Sequence, residues 1–168
     1  MKKMTEEFLK TAFAGESQAH MKYLIFSDVA EQEGRPNLAR MFRAIAYAEQ
    51  VHATNHFRVL GDINDSEANI GVCIEGENFE IEEMYPVYNT VAKFQGERGA
   101  EQSTHFALEA EKIHSAWYTE ALQAVKAEGD VKVGNIHICS VCGHTVEGEA
   151  PERCPVCGAP RERFKLIP

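Results

Sequence analysis

The sequence predicts a mainly α-helical protein, a four-helix bundle followed by a small metal-binding module at its C-terminal end. Two observations support this prediction. Long stretches of residues 1–133 repeat apolar side chains every three or four positions, as amphipathic helices do. Residues 134–168 hold four of the five cysteines, arranged as the pairs Cys139/Cys142 and Cys154/Cys157. We therefore expect one domain over residues 1–133 and a second over residues 134–168.

Four helical patterns precede the cysteines, and glycine or proline separates them. A segment over residues 61–77 is rich in Gly, Asn and Asp and is expected to be a long crossover connection. Two helix pairs joined by such a crossover predict a bundle of the ferritin-like kind. The expected helices are residues 5–33, 37–61, 78–96 and 100–127.

Composition and charge narrow the class of protein. Hydrophobic residues make up 44% of the chain, which is enough to bury a core. The chain has 17 basic and 26 acidic residues, and the resulting net charge of −9 argues against a nucleic-acid partner. Residues 1–10 lack the apolar core of a signal peptide, and no apolar run reaches membrane-spanning length. We expect a cytoplasmic protein with no nucleic-acid and no membrane partner.

The cysteine pairs predict a single metal site with four thiolates. Each Cys-x-x-Cys turn brings two sulfurs to one ion, and a short loop separates the two turns. Four thiolates suit either a structural Zn²⁺ or an electron-transferring iron, and their number alone does not separate the two. Cys73 is left over, and we expect it to be a buried or linker thiol.

Carboxylates and histidines interrupt the apolar faces of the predicted helices. Glu49/His52 and Glu111/His114 are both Glu-x-x-His, a spacing that places the two side chains next to each other on a helix. A carboxylate in a bundle core is costly unless it has a partner or a metal ion. Two such motifs plus a Glu from each remaining helix form the ligand set of dinuclear carboxylate proteins.

The remaining helices offer Glu16, Glu80 and Glu83. The separation in sequence from Glu16 to Glu49 is close to that from Glu80 to Glu111, so the chain reads as two related helix pairs. Glu83 is a surplus carboxylate, and Pro86 close behind it predicts a local kink. The expected ligands of a dinuclear site are Glu16, Glu49, His52, Glu80, Glu83, Glu111 and His114.

With these motifs the chain resembles the rubrerythrins over essentially its whole length. The resemblance implies a ferritin-like di-iron peroxidase with a C-terminal rubredoxin-like domain, assembled as a homodimer. Each chain would hold two Fe in the carboxylate site and one Fe in an Fe(Cys)₄ site. The resemblance rests on the stretches Phe-Ala-Gly-Glu16-Ser, Ala-Glu49-Gln-Val-His52-Ala, Phe-Glu80-Ile-Glu-Glu83-Met-Tyr-Pro86, Ala-Glu111-Lys-Ile-His114 and the Cys139–Cys157 module.

The likeness also suggests a division of the ligands. Glu49 and Glu111, from the paired helices, are expected to bridge the two irons. The resemblance then implies Glu16 and Glu83 on one iron, with Glu80 and His114 on the other. Because Fe(III) favours anionic oxygen and Fe(II) accepts imidazole, we also expect one iron to exchange Glu83 for His52 on reduction.

Three functions follow from the sequence. The first is reduction of hydrogen peroxide to water in oxidative-stress defence, with electrons from an upstream reductase or rubredoxin-type protein. The second is ferritin-like iron oxidation and storage. The third is a zinc-stabilised interaction protein without enzymatic activity. An attached Fe(Cys)₄ domain favours the first, since a ferroxidase takes its electrons from substrate iron.

Overall fold

The computed structural model describes residues 1–168, which form two compact units, residues 1–64 and 65–168. The chain is mainly helical, with a small strand region at its C-terminal end, which confirms the predicted fold class. No helix carries an apolar stretch long enough to cross a membrane. The elements are α1 (Lys3–Gln32), α2 (Pro36–Leu60), α3 (Ser66–Phe79), a π-helix (Glu80–Met84), α4 (Tyr85–Gln95), α5 (Arg98–Lys126), β1 (Ile136–Cys139), β2 (Thr145–Glu147) and β3 (Phe164–Ile167).

The first unit is an antiparallel pair of helices. Gly34, at a φ of 72°, provides the turn after α1, and Pro36 fits the first turn of α2, where no intrahelical N–H bond is lost. Ala39, Ala46 and Ala53 recur every seventh residue of α2 and are all buried. These small side chains form a narrow stripe along which α1 packs against α2.

The second unit begins with a helix where the sequence analysis expected a crossover. The Asp65 side chain accepts a hydrogen bond from the Ala68 N–H at 2.9 Å and so caps α3. Gly71 and Gly76 lie inside this helix. The prediction of a long connection over residues 61–77 is therefore wrong, and the non-helical connection is confined to residues 61–65.

A π-helix joins α3 to α4. The Tyr85 N–H donates to the Glu80 carbonyl, five residues back, and Pro86 follows in the first turn of α4. Because Pro86 has no N–H to donate, the ordinary i→i−4 pattern is interrupted at this point. The irregularity expected near Pro86 is thus a widened turn over Glu80–Met84.

The C-terminal module is a three-stranded antiparallel sheet in the order β2-β1-β3. Each cysteine pair is closed by a glycine with positive φ: Gly143 donates its N–H to the Cys139 carbonyl, and Gly158 donates to Cys154. Phe106 of α5 packs against the cysteine cluster. The module is therefore seated on α5 within the second unit.

Candidate metal centres

The four cysteines of the module converge on one point. All four Sγ atoms lie within 4.8 Å of one another, and no disulfide joins them. The Sγ atoms of Cys139 and Cys157 are 3.7 Å apart, and those of Cys142 and Cys154 are 3.4 Å apart. A tetrahedral ion with metal–sulfur bonds of about 2.3 Å spaces its sulfurs by roughly 3.8 Å. The sulfur array fits one metal ion.

Burial raises the pKa of the Cys142 thiol well above its usual range. Three of the four cysteines, Cys139, Cys142 and Cys154, are buried, so a thiolate there needs a compensating charge. A metal cation supplies that charge and binds the deprotonated sulfur. Both the chemistry of the four thiols and the spacing of their sulfur atoms thus suit a bound metal ion.

The first unit holds a group of three potential ligands, Glu16, Glu49 and His52. The Nδ1 atom of His52 lies 2.8 Å from Oε2 of Glu49 and 3.8 Å from Oε1 of Glu16. Glu49 and His52 come from adjacent turns of α2, and Glu16 comes from the facing part of α1. The antiparallel packing of the two helices brings these donors together.

The second unit holds a matching group, Glu77, Glu111 and His114. The His114 Nδ1 atom lies 2.6 Å from Oε2 of Glu111. Burial, followed by a hydrogen bond and the charge of Glu111, raises the pKa of Glu77 from 4.5 to about 7. Two carboxyl groups in contact favour a shared proton until a cation neutralises them.

The geometry of both groups fits a metal ion. In each, the imidazole Nδ1 faces a carboxylate oxygen of the glutamate three residues earlier, at 2.8 Å or less. An unprotonated nitrogen and a carboxylate oxygen are both acceptors, so only a proton or a metal cation can hold them together. Each group offers two carboxylates and one imidazole, which are suitable donors for iron.

Five of the seven ligands expected from the sequence lie in these two groups, and Glu80 and Glu83 do not. Glu80 is half-buried nearby: burial and then the charge of Glu111 raise its pKa, and His114 opposes the shift. Glu83 is exposed and belongs to neither group. Glu77, which the structure places beside Glu111 and His114, was not among the expected ligands.

A spacing signal for Glu77 was present in the sequence. The separation from Glu77 to Glu111 matches that from Glu16 to Glu49 more closely than the separation from Glu80 to Glu111 does. The expected crossover over residues 61–77 hid this match, because it placed Glu77 in a loop. The π-helix begins three residues later, at Glu80.

Cys73 lies on α3, one turn before Glu77, and is half-buried. Burial raises the pKa of Tyr118, and a hydrogen bond with Cys73 adds to the effect. Burial likewise raises the pKa of Tyr85, which lies near the charges of Glu80 and Glu111. Both tyrosines thus retain their phenolic protons next to the acidic group.

The chain is similar to known proteins over most of its length. Residues 7–122 match the Rubrerythrin family, and residues 137–165 match its rubredoxin-like domain. The chain is 44% identical to rubrerythrin-2 of Clostridium acetobutylicum, over 98% of this chain and 97% of that protein. It is 31% identical to nigerythrin of Nitratidesulfovibrio vulgaris, over 95% of this chain and 85% of that protein.

Solved structures of nigerythrin are also similar to this chain. Its mixed-valence state and its fully reduced, all-ferrous state both give a TM-score of 0.56, with 30% and 29% sequence identity. Each comparison covers 97% of this chain and 86% of the other. The similarity therefore spans the helices and the four-cysteine module.

Proposed function

Because this chain belongs to the rubrerythrin family, and is thus a di-iron protein with a rubredoxin-like domain, we propose that it is a peroxidase. The reaction is H₂O₂ + 2 H⁺ + 2 e⁻ → 2 H₂O. The observation that carries the proposal is the four-cysteine module seated on α5, the helix that also bears Glu111 and His114. A peroxidase needs its electrons replaced after each turnover, and a one-electron site on that helix suits this task.

The Glu/His groups of the chain offer ligands for two irons, and the four cysteines offer ligands for one iron. Glu16, Glu49 and His52 form one group of candidate iron ligands, Glu77, Glu111 and His114 form a second, and the four thiolates give the mononuclear site. In this proposal Glu77 takes the position beside His114 that the sequence analysis gave to Glu80. Glu80, half-buried next to Glu111, is then the surplus carboxylate of the second unit.

Iron held by the two Glu/His groups would supply the two electrons that reduce the O–O bond, and iron held by the four cysteines would return them one at a time. The protein's own side chains bind and release protons next to the acidic group. The carboxyl of Glu77, with a pKa of about 7 in the metal-free group, gives up its proton as a cation binds. The hydroxyl groups of Tyr85 and Tyr118 keep theirs and can donate hydrogen bonds to the acidic group.

Electrons are proposed to come from a separate reductase or rubredoxin-type protein. Cys157 is less buried than the other three cysteines of the module, and it lines an open cleft with Val156 and Phe106. Electron transfer between proteins requires close approach, and on this side of the module a ligand cysteine reaches an open cleft. We propose it as the point of electron entry.

Replacement of Cys154 by Ser tests the relay. The variant is expected to lose the iron–thiolate absorption and reductant-linked peroxide turnover while its Glu/His groups still bind metal. Cys73→Ser is the matched control and should keep the absorption. Unchanged turnover in Cys154→Ser would show that electrons do not pass through the module. Iron oxidation that persists in this variant, with peroxide turnover absent from the native chain, would favour the ferritin-like alternative.

A further inference from the structure

A buried threonine connects the four-cysteine module to a metal-binding histidine. Thr145 of β2 is 5% exposed, and its Oγ1 lies 3.0 Å from Nε2 of His114 on α5. The same hydroxyl donates a hydrogen bond to the Gly143 carbonyl at 3.1 Å. Gly143 directly follows Cys142 in the first cysteine turn. Three polar groups therefore form a continuous chain from the helix to the cysteine turn.

The hydrogen bonds of Thr145 favour one arrangement of hydrogens on His114. A threonine hydroxyl has one hydrogen, and the Gly143 carbonyl, which can only accept, takes it. With its hydrogen used in this way, the Thr145 oxygen accepts from His114, which places a ring hydrogen on Nε2. Nδ1 faces Oε2 of Glu111 at 2.6 Å, where a proton holds the two atoms together in the metal-free chain and a metal cation would take its place.

We propose that Thr145 is a positioning residue, which holds His114 in the Nε2–H tautomer and presents Nδ1 to the metal. A ligating histidine whose second nitrogen donates a hydrogen bond is held in orientation and becomes a better donor. Here the acceptor belongs to the four-cysteine module, so a folded module preorganises the ligand group on α5. This inference rests on the proposed metal role of Glu77, Glu111 and His114, and not on peroxide reduction.

The module is anchored firmly enough to act in this way. Gly143 lies against Ala110 of α5, which is buried, and Phe106 packs on the cysteine cluster one turn earlier. Thr145 is also fixed by its pairing with Ile138 in the sheet. Its hydroxyl is thus held by backbone and packing on both sides, and the ring of His114 adjusts to it.

His52 provides an internal comparison. It lies in the equivalent Glu-x-x-His motif, but it is exposed, and its hydrogen bond to Glu49 uses Nδ1. Within the first unit no hydroxyl group holds its Nε2. The proposal therefore predicts that the Nε2–H of His114 is protected from exchange with water and that of His52 is not.

The test uses the full chain with zinc as the probe metal in all sites. Thr145→Val removes the hydroxyl at nearly constant volume, Thr145→Ser keeps it, and Thr119→Val removes an exposed hydroxyl elsewhere on α5. Nitrogen-15 NMR identifies the metal-bound nitrogen of His114 and the exchange of its ring N–H. Chelator competition measures zinc affinity, and the amide signals of β1–β3 report whether the module is folded.

In the native chain we expect zinc on Nδ1 of His114 and a slowly exchanging Nε2–H. Thr145→Val should expose that proton and weaken zinc binding to the helical groups by about 10–100-fold. Thr145→Ser should restore both properties, and Thr119→Val should change neither. Unchanged exchange and affinity in Thr145→Val overturn the proposal. If that variant does not fold, the native spectrum decides: zinc on Nε2 of His114 is incompatible with the proposed role.

Discussion

Replacement of Glu77 by Gln should stabilise the metal-free protein at neutral pH and weaken its metal binding. In the absence of a cation, burial and then contact with Glu111 raise the pKa of Glu77 from 4.5 to about 7. Gln has nearly the same shape but no charge. The two effects of the substitution therefore have opposite signs, which separates a metal ligand from a structural carboxylate.

The pH dependence follows from the direction of the shift. A carboxyl whose pKa is higher in the folded state binds its proton more tightly there, so the free energy of unfolding falls as pH rises from about 4.5 to about 7. One pKa unit is worth about 1.4 kcal/mol, so the rise from 4.5 to about 7 sets an upper limit of about 3.5 kcal/mol. Because Glu77 is only half-buried, solvent screening reduces the expected loss to about 1–2 kcal/mol.

Urea unfolding measures this loss in protein whose four-cysteine site is filled and whose helical groups are stripped of metal. At pH 8 we expect Glu77→Gln to be about 1–2 kcal/mol more stable than the native chain, and near pH 4.5 the two should be similar. Glu83→Gln, at an exposed position close by, is the control and should match the native chain at both pH values. Added metal should reverse the order at pH 8.

Parallel pH profiles for the native chain and Glu77→Gln would refute this reasoning. The same conclusion would follow if Glu83→Gln, and not Glu77→Gln, lost metal affinity. In that case the ligand would be the one that the sequence analysis named, and the group seen with Glu111 would be incidental.

Three further substitutions test the packing that positions the sites. Ala46→Leu should cost about 1–3 kcal/mol in thermal unfolding, because Ala46 is 0% exposed; an unchanged midpoint would mean that α1 and α2 are loosely packed. Asp65→Ala should cost about 1 kcal/mol and Asp65→Asn much less, and equal stabilities would exclude the cap. Gly143→Ala, at a φ of 79°, should cost about 1–2 kcal/mol and speed chelator removal of the cysteine-bound metal. Gly148→Ala, at a φ of 83° away from the cysteines, should leave that rate unchanged, and equal rates would contradict the role of Gly143.

The parts of the site that could be predicted from the sequence are those set by local spacing. A Cys-x-x-Cys turn and a Glu-x-x-His pair bring their donors together within one turn of chain, whatever the rest of the fold does. The helical periodicity on either side of Gly34 and of Gly96 is equally local. These features gave the mainly helical class, the four-cysteine cluster and five members of the two Glu/His groups.

The parts that could not be predicted depend on context. Gly71 and Gly76 suggested a loop, but the Asp65 cap and packing against α5 hold this segment as a helix. Once that helix was missed, so was Glu77. The contact between Thr145 and His114 joins residues far apart in the chain, and no short-range pattern encodes it. The domain boundary near residue 133 stays a prediction, since the module and α3–α5 form one compact unit.

The π-helix over Glu80–Met84 also limits which insertions and deletions the segment between α3 and α4 can tolerate. Each residue of an α-helix turns the chain by about 100°, so the widened turn shifts the angular phase of α4 relative to α3. On one side of it Glu77 faces Glu111, and on the other Asn89 donates to the Glu101 carbonyl at 2.8 Å. Deleting one residue here would restore a regular helix and rotate one of these two contacts away from α5. Natural variants of this chain should therefore conserve the length of the segment from Glu77 to Asn89 more strictly than that of the connection over residues 127–135.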